Sequence, residues 1–228
     1  MKIAETMLWV VGVALTLVFL GGLGLSEYNR INDIAEFKAQ LASVRAQASP
    51  AAVTDMPSGS SAPATTANAF IATTEQPDQA LWSDARKEHY EESQTQEAGD
   101  VLALLSIPSL DLEVPLYDGA SELHLNLGIA RIEGTANPGD DGNLGIAGHR
   151  DGYFRVLQDI KFGDELILTT MDGVMTYTVD ELKIVDPSAV EVLNDRGRAS
   201  ITLVTCYPFY FVGHAPERFI VHATLQET

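Results

Sequence analysis

The sequence predicts an all-β domain carried behind a membrane helix, and three observations predict it. From Val101 onward, short β-branched or aromatic runs recur between Gly, Pro, Asn and Asp. No long helical period interrupts them, which points to largely antiparallel strands closing into a barrel or a sandwich. Ahead of them lie an uncharged apolar stretch and then a polar stretch of low complexity, neither of which belongs in a β core.

The apolar stretch runs from Met7 to Leu25, 19 residues without a charge. At about 1.5 Å per residue it spans roughly 30 Å of hydrocarbon, so residues 1–25 read as a membrane anchor. A cleaved signal peptide is the rival reading. The run exceeds a typical signal core, and the following SEYNRIN offers no small-x-small cleavage site. Lys2 and the amino terminus precede the run, while Glu27 and Arg30 cancel after it, which places the amino terminus in the cytoplasm and the rest outside.

Residues 26–48 read as an amphipathic helical stem, because Ile31, Ile34, Phe37, Leu41 and Val44 recur at spacings of three and four. Its bland role is a spacer or a weak self-association seam. Residues 49–99 read as a flexible linker with a possible docking segment. Ser49 to Pro77 is Ala-, Ser-, Thr- and Pro-rich, whereas Asp78 to Gly99 mixes Leu81, Trp82 and Tyr90 with many charges. That second part suits a short helix that docks on the domain or covers a groove, with Trp82 as its packing anchor.

Residues 100–228 form the β domain. Its strands are VLALLSI, LEVPLY, NLGIAGH, ELILTT, VMTYTVDEL, ASITLVTC and RFIVHATL. Asp172 and Gly173 stand between two alternating runs as the strongest hairpin signal, and Asn137 to Gly142 makes a broad turn before the strand that ends at His149.

Composition narrows the chemistry. With 14 Lys+Arg against 32 Asp+Glu the chain carries −18, which repels a nucleic-acid backbone. The single cysteine, Cys206, excludes an intramolecular disulfide framework and multi-thiolate zinc sites, and the five histidines show no metal-ligand spacing. No metal site and no cofactor are expected. The acidic excess of the β domain, 20 Asp+Glu against 8 Lys+Arg, reads as a solvated surface and not a calcium site.

Cys206 ends its strand on the face shared with Thr202 and Val204, so its thiol sits at a rim. If the next strand, beginning at Arg218, pairs antiparallel with it, Arg218 becomes its neighbour. His149 also ends an apolar run. A thiolate nucleophile, an imidazole that protonates a leaving amine and a guanidinium that binds an oxyanion make a working set. By spacing alone, a buried thiol and a salt-bridged arginine account for the pattern equally well.

The residues around them resemble the sortase family. GNLGIAGHRDGYFRVLQDIKFGDELILTT and TLVTCYPFYFVGHAPERFIVHA are similar to its two signature segments, and the likeness extends more loosely over IPSLDLEVPLYDG and LGIARIEGTANPGDDGN. Within the family the pattern is most similar to class D and proteobacterial sortases. The resemblance implies a closed eight-stranded β-barrel with His149, Cys206 and Arg218 as the catalytic triad, and Thr205 as the substrate-contacting Thr before the nucleophile. It also implies a cysteine transpeptidase that cleaves an LPxTG-like motif after Thr through a thioester and passes the acyl group to an amine. The substrate is then a protein ending in such a sorting signal, met outside the cytoplasm. No DPW-type lid motif is present, which argues against pilus assembly.

Other residues have plainer expectations. His124, His214 and His222 read as surface or barrel residues, and Asp151 as a turn cap in preference to an orienter of His149. Two rivals remain. An L,D-transpeptidase-like cell-wall enzyme fails to match the surroundings of His149 and Cys206, and a non-catalytic peptide-binding module would survive loss of the thiol.

Overall fold

The computed structural model describes residues 34–43, 77–210 and 215–226. The expected anchor, Met7 to Leu25, lies outside them, as does nearly all of the expected tether; among the described residues no helix is long and apolar enough to cross a membrane.

Strand alternation sorts the side chains as the sequence reading expects. In β1 (Ala103–Ile107) and β2 (Leu112–Asp118), Ala103, Leu105, Ile107, Val114 and Leu116 are fully buried in one core. Helix α3 (Glu122–Leu127) leads to β3 (Ile129–Arg131) and β4 (Asn143–Ala147). Then follow β5 (Glu165–Thr169), β6 (Val174–Val185), β7 (Ser200–Tyr207) and β8 (Glu217–Leu225). The eight strands close in the order β1-β2-β3-β4-β7-β8-β6-β5. Among the described strands, closure leaves no edge for another chain to extend. The expected hairpin joins β5 to β6, with Thr169 opposite Val174 and the Thr170 N–H donating to the Gly173 carbonyl at 2.8 Å.

One strand escapes the sequence reading, and two pairings depart from the default direction. Strand β3 is three residues long, too short to display an alternation, and was not among the seven runs. The pairing is largely antiparallel, as expected, in six of the eight neighbouring pairs, and the two exceptions, β2–β3 and β4–β7, are parallel. The connection through the six-residue α3 carries the chain back, so that β3 runs parallel beside β2. Between β4 and β7 the antiparallel β5–β6 pair is interposed, and it is this excursion that brings β7 back alongside β4.

Helix α1 covers residues 34–43, within the expected stem. Its Phe37 and Leu41, one turn apart, are buried, and Lys38 Nζ lies 2.6 Å from Glu113 Oε1 on β2. Helix α2 (Asp84–Ser93), within the expected docking segment, is capped by Ser83, whose side chain accepts from the Arg86 N–H.

The β4–β7–β8 face is joined by a buried polar network. Thr202 Oγ1 donates to Asn143 Oδ1 at 2.8 Å and lies 2.9 Å from His222 Nδ1. The Thr202 hydroxyl thus bridges Asn143 and His222, whose Nε2 lies 3.9 Å from Glu181 Oε2. Asn143 in turn donates from Nδ2 to the Asn194 carbonyl at 3.1 Å, tying the β6–β7 connection to the sheet. Burial, and next the Arg196 charge, hold His222 below its ordinary value against the opposing pull of Glu181.

Protonating His222 is therefore harder in the folded than in the unfolded chain. Its contribution to stability is full at neutral pH and is lost as pH falls below about 6.5, toward the depressed folded value. Thermal melts from pH 7 to pH 5 should show a fall in Tm that is shallower in His222→Gln. Thr202→Val, which leaves Asn143 and His222 each short of a partner, should cost about 1–3 kcal/mol in denaturant unfolding.

Candidate active site

The parallel β4–β7 ladder sets the positions of two of the three expected residues. Its last pair is Ala147 with Val204, where β4 ends two residues short of the expected end at His149, so His149 stands just beyond β4 and Cys206 two residues further along β7. Beyond that pair the two chains stay joined: the Gly148 N–H donates to the Val204 carbonyl at 3.2 Å, and Thr205 Oγ1 donates to the Gly148 carbonyl at 2.8 Å. The register carries Ala147, Val204 and Cys206 on the face opposite the core residues Ile146 and Leu203. In the antiparallel β7–β8 ladder Cys206 pairs directly with Arg218. The three expected residues thus gather at one rim.

Each is held differently. Cys206 is a free, partly exposed thiol next to the last residue of β7. Arg218 is partly buried, and its Nη1 donates to the Glu217 carbonyl at 2.9 Å and to the Ala215 carbonyl at 3.4 Å. Those main-chain contacts aim one arm of the guanidinium. His149 opens a tight turn whose following residues anchor in the barrel. Its carbonyl accepts from the Gly152 and Phe154 N–H groups, and Tyr153, Phe154 and Leu157 are buried. Arg150 Nη1 donates to the Pro208 carbonyl at 2.9 Å, which links the histidine loop to the connection after Cys206.

Thr205, expected as a substrate contact, is 2% exposed on the core face, and its hydroxyl is committed to Gly148. In this position it holds the histidine loop to β7. Of the remaining histidines, His124 reaches the Gly119 and Ala98 carbonyls at 2.7 and 3.0 Å, and His222 belongs to the buried network; His214 lies outside the described residues.

The charges around His149 include two that the sequence reading did not single out. Glu122 Oε2, from the first residue of α3, lies 3.3 Å from His149 Nε2. The charge of Arg86, from α2, also acts on the imidazole. Burial comes first among the causes that hold His149 below its ordinary value, and the Arg86 charge second; Glu122 and Asp151 pull the other way. No local signal marks Glu122 or Arg86, since each is an ordinary acid or base in the first turn of a helix. Trp82 is buried, and its Nε1–H donates to the Asp151 carbonyl at 2.9 Å, so it is a packing anchor. Asp151, expected as a turn cap, instead meets the docking segment, its carbonyl accepting from Trp82 and its Oδ2 standing 3.8 Å from Arg86 Nε.

On the flank of the site, Gly145 lies beneath the β6–β7 connection. A Cβ there would meet Leu193 Cδ2 and Thr135 Cγ2, each at 2.9 Å, so the missing side chain is what lets these groups close over β4.

Comparison with known proteins places these features in one group. The family model for the sortase domain matches residues 105–226, more than half of the chain. Sortase D of Bacillus subtilis (strain 168) is 32% identical over 127 residues, covering 55% of this chain and 64% of that relative. A solved Clostridium perfringens Sortase D5 transpeptidase superposes with a TM-score of 0.52 at 29% identity, covering 65% of this chain and 92% of that one. Sortase E1 from Streptomyces coelicolor, solved with a tripeptide in the active site, gives 0.52 at 30% identity, covering 58% and 92%. The chain spans less than two thirds of the length of the curated relatives it matches, 64% of the Bacillus protein and 54% of sortase A from Streptococcus agalactiae.

Gly148 should tolerate no side chain, because a Cβ there would meet three ring atoms of the fully buried Phe154 at 2.5 to 2.9 Å. Gly148→Ala is expected to cost about 1–3 kcal/mol in denaturant unfolding through overpacking. Glu122→Gln, by removing a carboxylate that favours the imidazolium, should lower the His149 pKa further, as read from a histidine-ring NMR titration.

Proposed function

The chain belongs to the sortase family, and on that premise we propose that it is a membrane-anchored cysteine transpeptidase acting outside the cytoplasm. Its substrate is a protein with a carboxyl-terminal LPxTG-like sorting signal, cleaved after Thr and transferred to an amine acceptor. The observation that carries this reading is the gathering of His149, Cys206 and Arg218 at one rim, by the parallel β4–β7 register and the direct Cys206–Arg218 pairing. A tripeptide in the active site of the Streptomyces relative supports a peptide as the ligand. The uncharged run from Met7 to Leu25 supports the anchor, and residues 100–228 are read as the catalytic barrel.

The mechanism follows from the three groups. The Cys206 proton passes to His149, and Sγ attacks the carbonyl carbon of the Thr–Gly bond. The oxygen that gains charge accepts hydrogen bonds from the Arg218 guanidinium, whose geometry its main-chain contacts restrain. As the tetrahedral intermediate collapses, the C–N bond breaks and the leaving amine takes the proton from His149, which leaves an acyl thioester on Cys206. The acceptor amine then attacks the thioester, its surplus proton passes to His149, and the thiolate leaves. Imidazole and thiol return to their starting state. Since His149 is held below its ordinary value it is a weak base toward the thiol, so only a small share of the pair is thiolate and imidazolium together at any pH, and slow turnover is expected.

Incubation with an LPxTG-like peptide should yield an acyl adduct that mass spectrometry localises to Cys206. Cleavage undiminished in Cys206→Ala would remove the nucleophile and sink the proposal; binding without cleavage in the wild type would favour a peptide-binding module. Arg218→Lys keeps the charge but loses the planar fork, and should reduce acyl transfer by roughly 100- to 1,000-fold while leaving Tm close to wild type. The pH profile of kcat/KM should be bell-shaped, with its acid limb below the ordinary histidine value, because the pair must lose one proton to become competent.

A further inference from the structure

Helix α2 is too short to be stable alone, and of its ten residues only Tyr90 and Ser93 are buried. What holds it is a set of contacts with the loop that carries His149. Trp82, just before the cap, is 7% exposed, with Tyr90 edge-on to it at 5.1 Å and the Arg86 guanidinium 4.3 Å above its ring. The indole donates to the Asp151 carbonyl, two residues beyond His149. Asp78, further back along the chain, lies 3.7 Å from Arg155 at the far end of the same loop.

Arg86 is the centre of this arrangement. From its seat on Trp82, Nη1 donates to Asn126 Oδ1 at 2.6 Å, and Nε stands 3.8 Å from Asp151 Oδ2. Asn126 lies on α3, the helix that begins with Glu122, and Asn126 Nδ2 donates back to Ser93 Oγ at the end of α2. One guanidinium therefore bridges the two elements that flank the imidazole: the loop that holds His149 and the helix whose carboxylate faces its Nε2. Solvent-exposed ion pairs contribute little, but this cation is 20% exposed and stacked on a buried ring, which fixes its place and limits screening.

We propose that Arg86, seated on Trp82, is a positioning residue for His149, so that the catalytic site is complete only when the segment 78–93 is docked on the barrel. This rests on the reading of His149 as the acid of acyl transfer. The charges that act on the imidazole are Arg86 on α2, Glu122 on α3 and Asp151 on its own loop. Undocking removes the Arg86 charge and exposes the ring to water, and both changes make the imidazolium easier to form.

The test uses full-length protein in detergent with labelled histidines, His149 being assigned by the loss of its signal in His149→Gln. Arg86→Gln should move the His149 titration upward, and Arg86→Lys, which keeps the charge, should restore it. In parallel, kcat for cleavage of an LPxTG-like peptide should fall by on the order of 10- to 100-fold in Arg86→Gln with KM little changed, as expected for a misplaced group. If Arg86→Gln does not fold, Trp82→Phe, which keeps a ring but loses the bond to Asp151, should also shift the titration upward. A folded Arg86→Gln, or failing that a folded Trp82→Phe, whose His149 titrates as in wild type overturns the proposal. Full activity in His149→Gln together with a shifted titration in Arg86→Gln would instead refute the acid role and leave the positioning intact.

Discussion

Parallel strands end together, and the structure depends on that constraint at β4 and β7. Had the two been paired antiparallel, the residue after β4 and the residue at the end of β7 would stand at opposite rims, about the length of a five-residue strand apart. The parallel register instead delivers His149 and Cys206 to the same rim, and the antiparallel β7–β8 ladder adds Arg218. The buried Asn143–Thr202–His222 network runs across these same three strands at the other end of the ladder. A slip of one residue would leave these polar groups without partners, so the network penalises the wrong register and thereby helps fix the site.

The histidine loop is restrained from three sides. Thr205 holds its start from below, Arg150 ties it to the connection after Cys206, and Trp82 and Arg86 hold it from the segment ahead of the barrel. Strand-borne residues such as Cys206 need less, because the ladder orients them. An imidazole in a turn has no ladder, and the added contacts perform that task with side chains. The same contacts bury the ring and place a cation beside it, so the groups that position His149 also weaken its hold on a proton.

Much of the β domain was legible from local pattern. Seven of the eight strands and the β5–β6 hairpin could be read from alternation and turn residues, since a half-buried strand imposes its period on the chain. β3 was not, because three residues carry no period. The parallel pairings were also hidden: alternation says which face a residue takes, but not which strand lies beside it or in what direction. Cys206 and Arg218 could be read as neighbours because their strands are consecutive and antiparallel pairing is the default for such strands, whereas the place of His149 relative to them needed the β4–β7 register.

The sequence by itself determined the alternating strands, the rim position of the single thiol, the lone uncharged run at the amino terminus and the residues that mark the family, because each is a property of neighbours along the chain. Tertiary structure alone decided that Thr205 faces the core and holds Gly148, and that Glu122 and Arg86 flank His149. It also decided that Trp82 closes on Asp151 across a separation of 69 residues. Contacts between distant segments are set by how the barrel closes and by which buried polar groups must find partners, and neither is written in a local window of residues.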